Sequence, residues 1–331
     1  MGTLSAAIWR GSPAIMSGVR LLEELRGQNA AVATLQRAVH SAQLAHAYLF
    51  DGPSGVGKQR AAIAVALARL CPEKPGKGCG RCRACARIVE GNHPDVRIFG
   101  PREDGDRNLK IETLREEILP IARGAPFESP ACFLIFPEAD ISFPPQHMEA
   151  ANALLKPLEE PRPGVCFVML AERPDRLLST IRSRCQRVRF RPLPDPVVER
   201  ILAQEGVAAD DRPMATRMAE GRADHALFLA RDGHATELIE RALKLHGRLQ
   251  SGTPGDLVDT AETLAKDEHL DALLQMLVTI YRDIAALGLG QPFHSLRCES
   301  SGRALAELAQ DCAPGEAARR VEAVLSLREQ I

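Results

Sequence analysis

A short apolar run, Ala47-Tyr48-Leu49-Phe50, leads into Gly52-Pro53-Ser54-Gly55-Val56-Gly57-Lys58, and an alanine-rich stretch follows to about Leu70. Strand, glycine loop and helix in that order are the context in which backbone N–H groups converge on phosphate oxygens. The helix N-terminus adds partial positive charge, and Lys58 reaches the terminal phosphates. The alternative is an ordinary glycine-rich turn. Gly52, Gly55, Gly57 and Lys58 are therefore the candidate phosphate-binding residues.

The rest of the first half fits the same architecture. Val96–Phe99, Cys132–Phe136, Val165–Leu170 and Arg187–Phe190 are short and mostly apolar, with helical segments between them, as in a parallel α/β sheet. Pro192-Leu193-Pro194-Asp195-Pro196 is a stiff break. Only helical periodicity lies beyond it, and Leu270, Leu273, Leu274, Leu277, Ile280, Tyr281 and Ile284 form one apolar face of a long helix. Residues 1–17 have no clear period and are expected to be poorly ordered. With 45% hydrophobic and 26% charged residues the chain is globular, and its apolar runs fall short of the ~18 residues of a membrane span. A soluble intracellular protein is expected.

Two departures weaken any magnesium site at the loop. The position after Lys58 calls for a hydroxyl and holds Gln59, whose amide oxygen suits the metal less well. The run Phe133–Phe136 should end in an acidic pair, yet Pro137 stands at the metal-binding position, followed by Glu138. Glu138 then reads as a strand-end carboxylate or part of a turn into a helix.

Cys71, Cys79, Cys82 and Cys85 place four thiols within 15 residues, with a loop of two prolines and two glycines that can fold back. They can complete a tetrahedron around Zn²⁺, a closed site with no open position and hence structural. Redox thiols or a fortuitous cluster are the alternatives. Cys132, Cys166, Cys185, Cys298 and Cys312 are dispersed and read mostly as small buried hydrophobes.

The net charge of −1 conceals a split: residues 1–191 carry 27 Lys and Arg against 20 Asp and Glu, and residues 192–331 carry 15 against 23. Solvated faces explain this as well as an approach to polyanions does. Seven arginines and one acid, Asp175, lie between Arg173 and Arg191. An arginine at a subunit edge can complete a neighbour's nucleotide site. A solvated basic helix face is the alternative.

Together these residues resemble the delta-prime subunits of bacterial DNA polymerase III clamp loaders, within the AAA+ superfamily. The resemblance covers roughly Gly27 to Ala230. Its carriers are Gly27-Gln28, His46–Phe50 with Gly52-Pro53, the four cysteines, His93-Pro94-Asp95, Asn152–Lys156 with Leu158-Glu159-Glu160-Pro161, and Ser183-Arg184-Cys185. It implies an AAA+ P-loop α/β domain over 18–191 with a zinc module at about 71–95, a helical lid over 192–235 and an all-α oligomerising collar over 236–331. It also implies that Arg184 acts in trans as an arginine finger. The implied partners are the gamma/tau and delta subunits, with the sliding clamp and primed DNA reached through the complex, in the bacterial cytoplasm near the nucleoid and without a membrane. ATP or ADP is the nucleotide the loop would hold.

The gamma/tau motors share the cysteines and Ser-Arg-Cys but keep both Walker motifs and a lid arginine, where this chain has Asp224. Pro157 also departs from the pattern and removes the amide that would bond the Ala153 carbonyl. The expected function is a non-hydrolysing assembly subunit that supplies a rigid interface. The alternatives are an active gamma/tau-type ATPase and a zinc-dependent DNA-binding module acting alone.

Overall fold

The computed structural model describes residues 21–41, 43–100, 109–143, 148–231, 234–267 and 269–330. The N-terminal stretch 1–17 lies outside them. The chain divides into two compact units, Met1–Pro194 and Asp195–Ile331.

The first unit is built on five parallel strands: β1 (Ala47–Asp51), β2 (Val96–Ile98), β3 (Cys132–Phe136), β4 (Val165–Ala171) and β5 (Gln186–Arg189). Their spatial order is β2-β3-β4-β1-β5. Because β1, β3 and β4 are covered on both faces, every residue in them is buried. Tyr48, Phe50, Phe133, Ile135, Cys166, Val168 and Leu170 face one layer of helices. The alternate residues, including Leu49, Leu134, Phe136, Phe167 and Met169, face the other. In the edge strand β5 only Val188 is buried.

The helix after the glycine loop, Lys58–Leu70, buries every residue from Ala61 to Ala68. Its alanines alternate with Ile63, Val65 and Leu67, so it is apolar on every side and is buried all round. The helix Met148–Glu159 runs through Pro157, which is buried near its end.

The second unit is helical throughout its described residues. Its centre is Leu270–Gly288, where the expectation of a single apolar face needs correction. Burial runs unbroken from Leu273 to Tyr281 and includes Gln275 and Thr279, because helices His234–Ser251, Gly302–Gln310 and Pro314–Gln330 surround it. The polar residues inside are partnered: Thr279 donates to the Gln275 carbonyl at 3.0 Å, and Asp283 accepts from the amides of Arg297 (3.1 Å) and Cys298 (2.8 Å). No helix among the described residues is long and apolar enough to cross a membrane.

Candidate functional site

The glycine loop lies at the C-terminal end of β1, the end where parallel sheets open a crevice for ligands. Gly52 has φ +149°, and a Cβ there would stand 2.3 Å from the Phe190 carbonyl oxygen, so only glycine fits. Gly55 and Gly57 have φ of +67° and +97°, and Gly57 caps the helix that follows. Lys58 Nζ donates to the carbonyls of Gly52 (2.5 Å) and Pro53 (2.6 Å), so the lysine folds over the mouth of its own loop. Gln59 follows in the first turn.

Gln28 holds this loop from below. Its buried side-chain amide donates to the carbonyls of Val56 (3.2 Å) and Arg191 (2.7 Å), and its Oε1 accepts the Arg191 amide at 3.1 Å. One side chain thus pairs with the chain after β5 as a strand would, and ties it to the phosphate loop. Gly27-Gln28 stood out in the sequence as a pair, but its partners lie 28 and 163 residues away.

At the end of β3, Pro137 is buried and Glu138, at φ +51°, turns the chain into the short helix Ala139–Ser142. The inward-facing carboxylate is Asp140, which accepts the amides of Glu172 (3.1 Å) and Arg173 (2.7 Å) after β4. Burial raises its pKa. Asp140 therefore fastens two strand ends together, a role the sequence did not reveal.

The four cysteine sulfurs lie within 4.8 Å of one another. Cys71–Cys82 and Cys79–Cys85 are each separated by 3.9 Å. A tetrahedral ion with Zn–S bonds of ~2.3 Å has sulfur–sulfur edges of about 3.8 Å, so donor set and spacing both fit. Amides of Lys74, Cys82 and Cys85 point at Cys71, Cys79 and Cys82 over 3.3, 3.2 and 3.5 Å. The amide of Arg81 pulls the Cys79 thiol down to about 7, whereas burial pushes Cys85 up to about 12. A bound cation would offset that cost of burying thiolate. Beside the cluster, the Asp95 carboxylate accepts three amides, from Phe127 (2.5 Å), Glu128 (3.0 Å) and Ser129 (2.9 Å). Arg87, on the helix Arg83–Val89, also pairs with Glu128 at 2.5 Å. His93-Pro94-Asp95 thus joins the start of β2 to the loop before β3.

The arginine segment divides. Arg187 grips both oxygens of buried Asp51, at 2.8 and 2.7 Å, with Arg189 at 3.6 Å from the same carboxylate. These charges are committed inside the unit, and neither reading of the segment foresaw it. Arg184 lies elsewhere. Gln186, which opens β5, is in register with Tyr48, four residues or about 13 Å of strand before Gly52, and Arg184 lies two residues further back, in the turn that follows the short helix Ser179–Arg182. The loop residues gather at one end of the sheet, Arg184 sits at the other, and the cysteines flank one face. In the second unit, Asp224 opens the helix Ala223–Leu229 and accepts the His225 amide at 2.7 Å.

The family described as DNA polymerase III, delta subunit, matches residues 27–194. The chain is 33% identical to DNA polymerase III subunit delta' of Bacillus subtilis over 260 residues, 77% of this chain and 76% of that protein. It is 31% identical to the Escherichia coli delta' subunit over 242 residues, 72% and 69% of the two chains. The gamma/tau subunit of Mycobacterium tuberculosis matches at 32% over 253 residues, 71% of this chain but only 42% of that protein. With matches of this extent, the chain belongs to the DNA polymerase III delta-prime subunit family.

Proposed function

We propose that the chain is a non-hydrolysing subunit of a DNA polymerase III clamp loader. It presents a rigid face and Arg184 to a neighbouring gamma/tau ATPase while the sliding clamp is loaded onto primed DNA. One observation carries this reading: Arg184 precedes β5, at the end of the parallel sheet opposite the one where β1 runs into the chain's own glycine loop. Gln59 follows that loop where a hydroxyl is called for, and Pro137 follows β3 in place of the strand-end acid. A partly exposed arginine at the opposite end of the sheet from its own phosphate cradle serves a neighbour's γ-phosphate, where a guanidinium stabilises developing charge.

The remaining parts follow. The AAA+ P-loop domain spans 18–191, the lid 192–235 and the collar 236–331, with delta as a further partner in a cytoplasmic, nucleoid-associated complex. Cys71, Cys79, Cys82 and Cys85 hold one structural Zn²⁺. Gly52, Gly55, Gly57 and Lys58 bind ATP or ADP with little help from magnesium.

The gamma/tau relatives favour one second reading, an active motor. Steady-state ATP hydrolysis by the isolated chain, with and without primed DNA, separates the two. Background turnover is expected, and turnover like that of a gamma/tau subunit overturns the proposal. In the assembled complex, Arg184→Ala should lower DNA-stimulated hydrolysis and clamp loading while folding and assembly persist. Arg184→Lys should rescue poorly, because an ammonium cannot fork across two oxygens. Arg182→Ala controls for lost charge, and equal small effects from both alanine variants would return the segment to a solvated basic face.

A further inference from the structure

Arg184 is already held within the chain. Its Nη1 donates to the Thr180 carbonyl at 2.8 Å, and its Nη2 pairs with the Glu159 carboxylate. Glu159 ends the helix Met148–Glu159, which descends from the C-terminal end of β3 to the N-terminal end of β4. Arg184 precedes β5 at that same end of the sheet. Two crossovers, 25 residues apart in sequence, therefore meet through this pair.

The two grips fall on different nitrogens. A guanidinium fixed at two points has a set plane as well as a set position, and its remaining N–H groups keep their direction. A free arginine would instead lose the freedom of a long side chain each time it met a phosphate. The side chains of Arg184 and Glu159 are 31% and 49% exposed. A pair this wet is a weak competitor for a guanidinium that a phosphate group is approaching.

We propose that Glu159 is a positioning residue for Arg184, holding the guanidinium in one orientation at the subunit edge before the neighbouring nucleotide arrives. The proposal rests on the reading of Arg184 as a trans arginine. Glu159 touches no substrate and acts only through Arg184.

The test is a double-mutant cycle in the reconstituted complex of this chain with its gamma/tau and delta partners, measuring ATP hydrolysis on primed DNA. Glu159→Ala should lower kcat about three- to fivefold, the size expected for a half-exposed ion pair, with KM for ATP unchanged. Glu159→Gln keeps an oxygen that can accept from Nη2 and should restore most of the rate. In an Arg184→Ala background, Glu159→Ala should have no further effect. Metal content and assembled mass serve as folding controls. A rise in kcat with either Glu159 variant would make the carboxylate a competitor and overturn the proposal. So would an unchanged rate, or an undiminished loss in the Arg184→Ala background, which marks a purely structural contact. If Arg184→Ala itself has no effect, the trans-arginine reading falls first and takes this proposal with it. If Arg184→Ala lowers the rate and Glu159→Ala does not, only the proposal falls.

Discussion

The buried carboxylate of Asp51 is forked by the guanidinium of Arg187, Nε to Oδ1 at 2.8 Å and Nη2 to Oδ2 at 2.7 Å. Asp51 is the last residue of β1, and Gly52 opens the phosphate loop directly after it. The pair therefore joins β1 to the edge strand β5 at the loop's root. It also explains how a carboxylate comes to end an otherwise apolar strand without an unpaired buried charge.

Removing the arginine should be costly. Arg187→Ala leaves Asp51 with Arg189 alone, at 3.6 Å, and should destabilise the first unit by ~1–3 kcal/mol. Arg189→Ala removes a longer, more exposed contact and should cost under ~1 kcal/mol. Urea unfolding followed by circular dichroism measures both. Equal losses would mean that the fork is no stronger than the outer contact.

One metal ion per chain is expected at the four thiols. Elemental analysis of the purified protein should find roughly stoichiometric zinc, and Cys82→Ser should lower it and loosen residues 71–95. Because binding to a closed thiolate site is coupled to folding, chelation should destabilise the chain as well as strip the metal. Zinc-free protein that stays folded, with four titratable thiols, is the contrary result.

Nucleotide binding should depend little on magnesium. Lys58 can turn from the carbonyls of Gly52 and Pro53 to a phosphate, but Gln59 and Pro137 offer the cation poor ligands. Calorimetric titration with ATP, with and without Mg²⁺, should give similar affinities, and Lys58→Ala should weaken both. A large gain on adding magnesium would show that Gln59 or another group coordinates it after all.

Acid should weaken the second unit through His225. Burial lowers its pKa to about 4, with Arg222 adding to the effect. The unfolded chain takes up this proton near pH 6.5, whereas the folded chain does so only near pH 4. Stability from this group is therefore full above pH 6.5 and falls as pH drops toward 4, by up to ~3 kcal/mol. His225→Gln should flatten that limb, leaving the contribution of His246, whose pKa burial also lowers. Urea midpoints for both proteins at pH 5 and pH 7 provide the comparison. Parallel curves would show that His225 does not carry it.

Local chemistry made much of the first unit legible. Five expected runs became five strands within a residue or so of their bounds, and for β1, β3 and β4 the reason is that burial on both faces leaves a short, nearly unbroken apolar pattern. Gly52 through Lys58 and the four cysteines could be read for a related reason. Their chemistry depends on neighbours close in sequence, and spacing alone brings those groups together.

Tertiary structure decided which long-range partner each polar group took. Gln28 reaches Arg191, Asp51 reaches Arg187, and Asp140 reaches the amides after β4. These pairs span from 32 to 163 residues. No periodicity encodes them, since a carboxylate or amide in sequence shows a capacity for hydrogen bonds but not their direction. The same holds for Arg184, which Ser183-Arg184-Cys185 singled out in the sequence, but whose place at the end of the sheet opposite the loop followed only from the parallel pairing of β1 and β5. Leu270–Gly288 makes the point for packing. Its sequence specified a helix with an apolar face, and only the helices packed around it buried the polar residues as well.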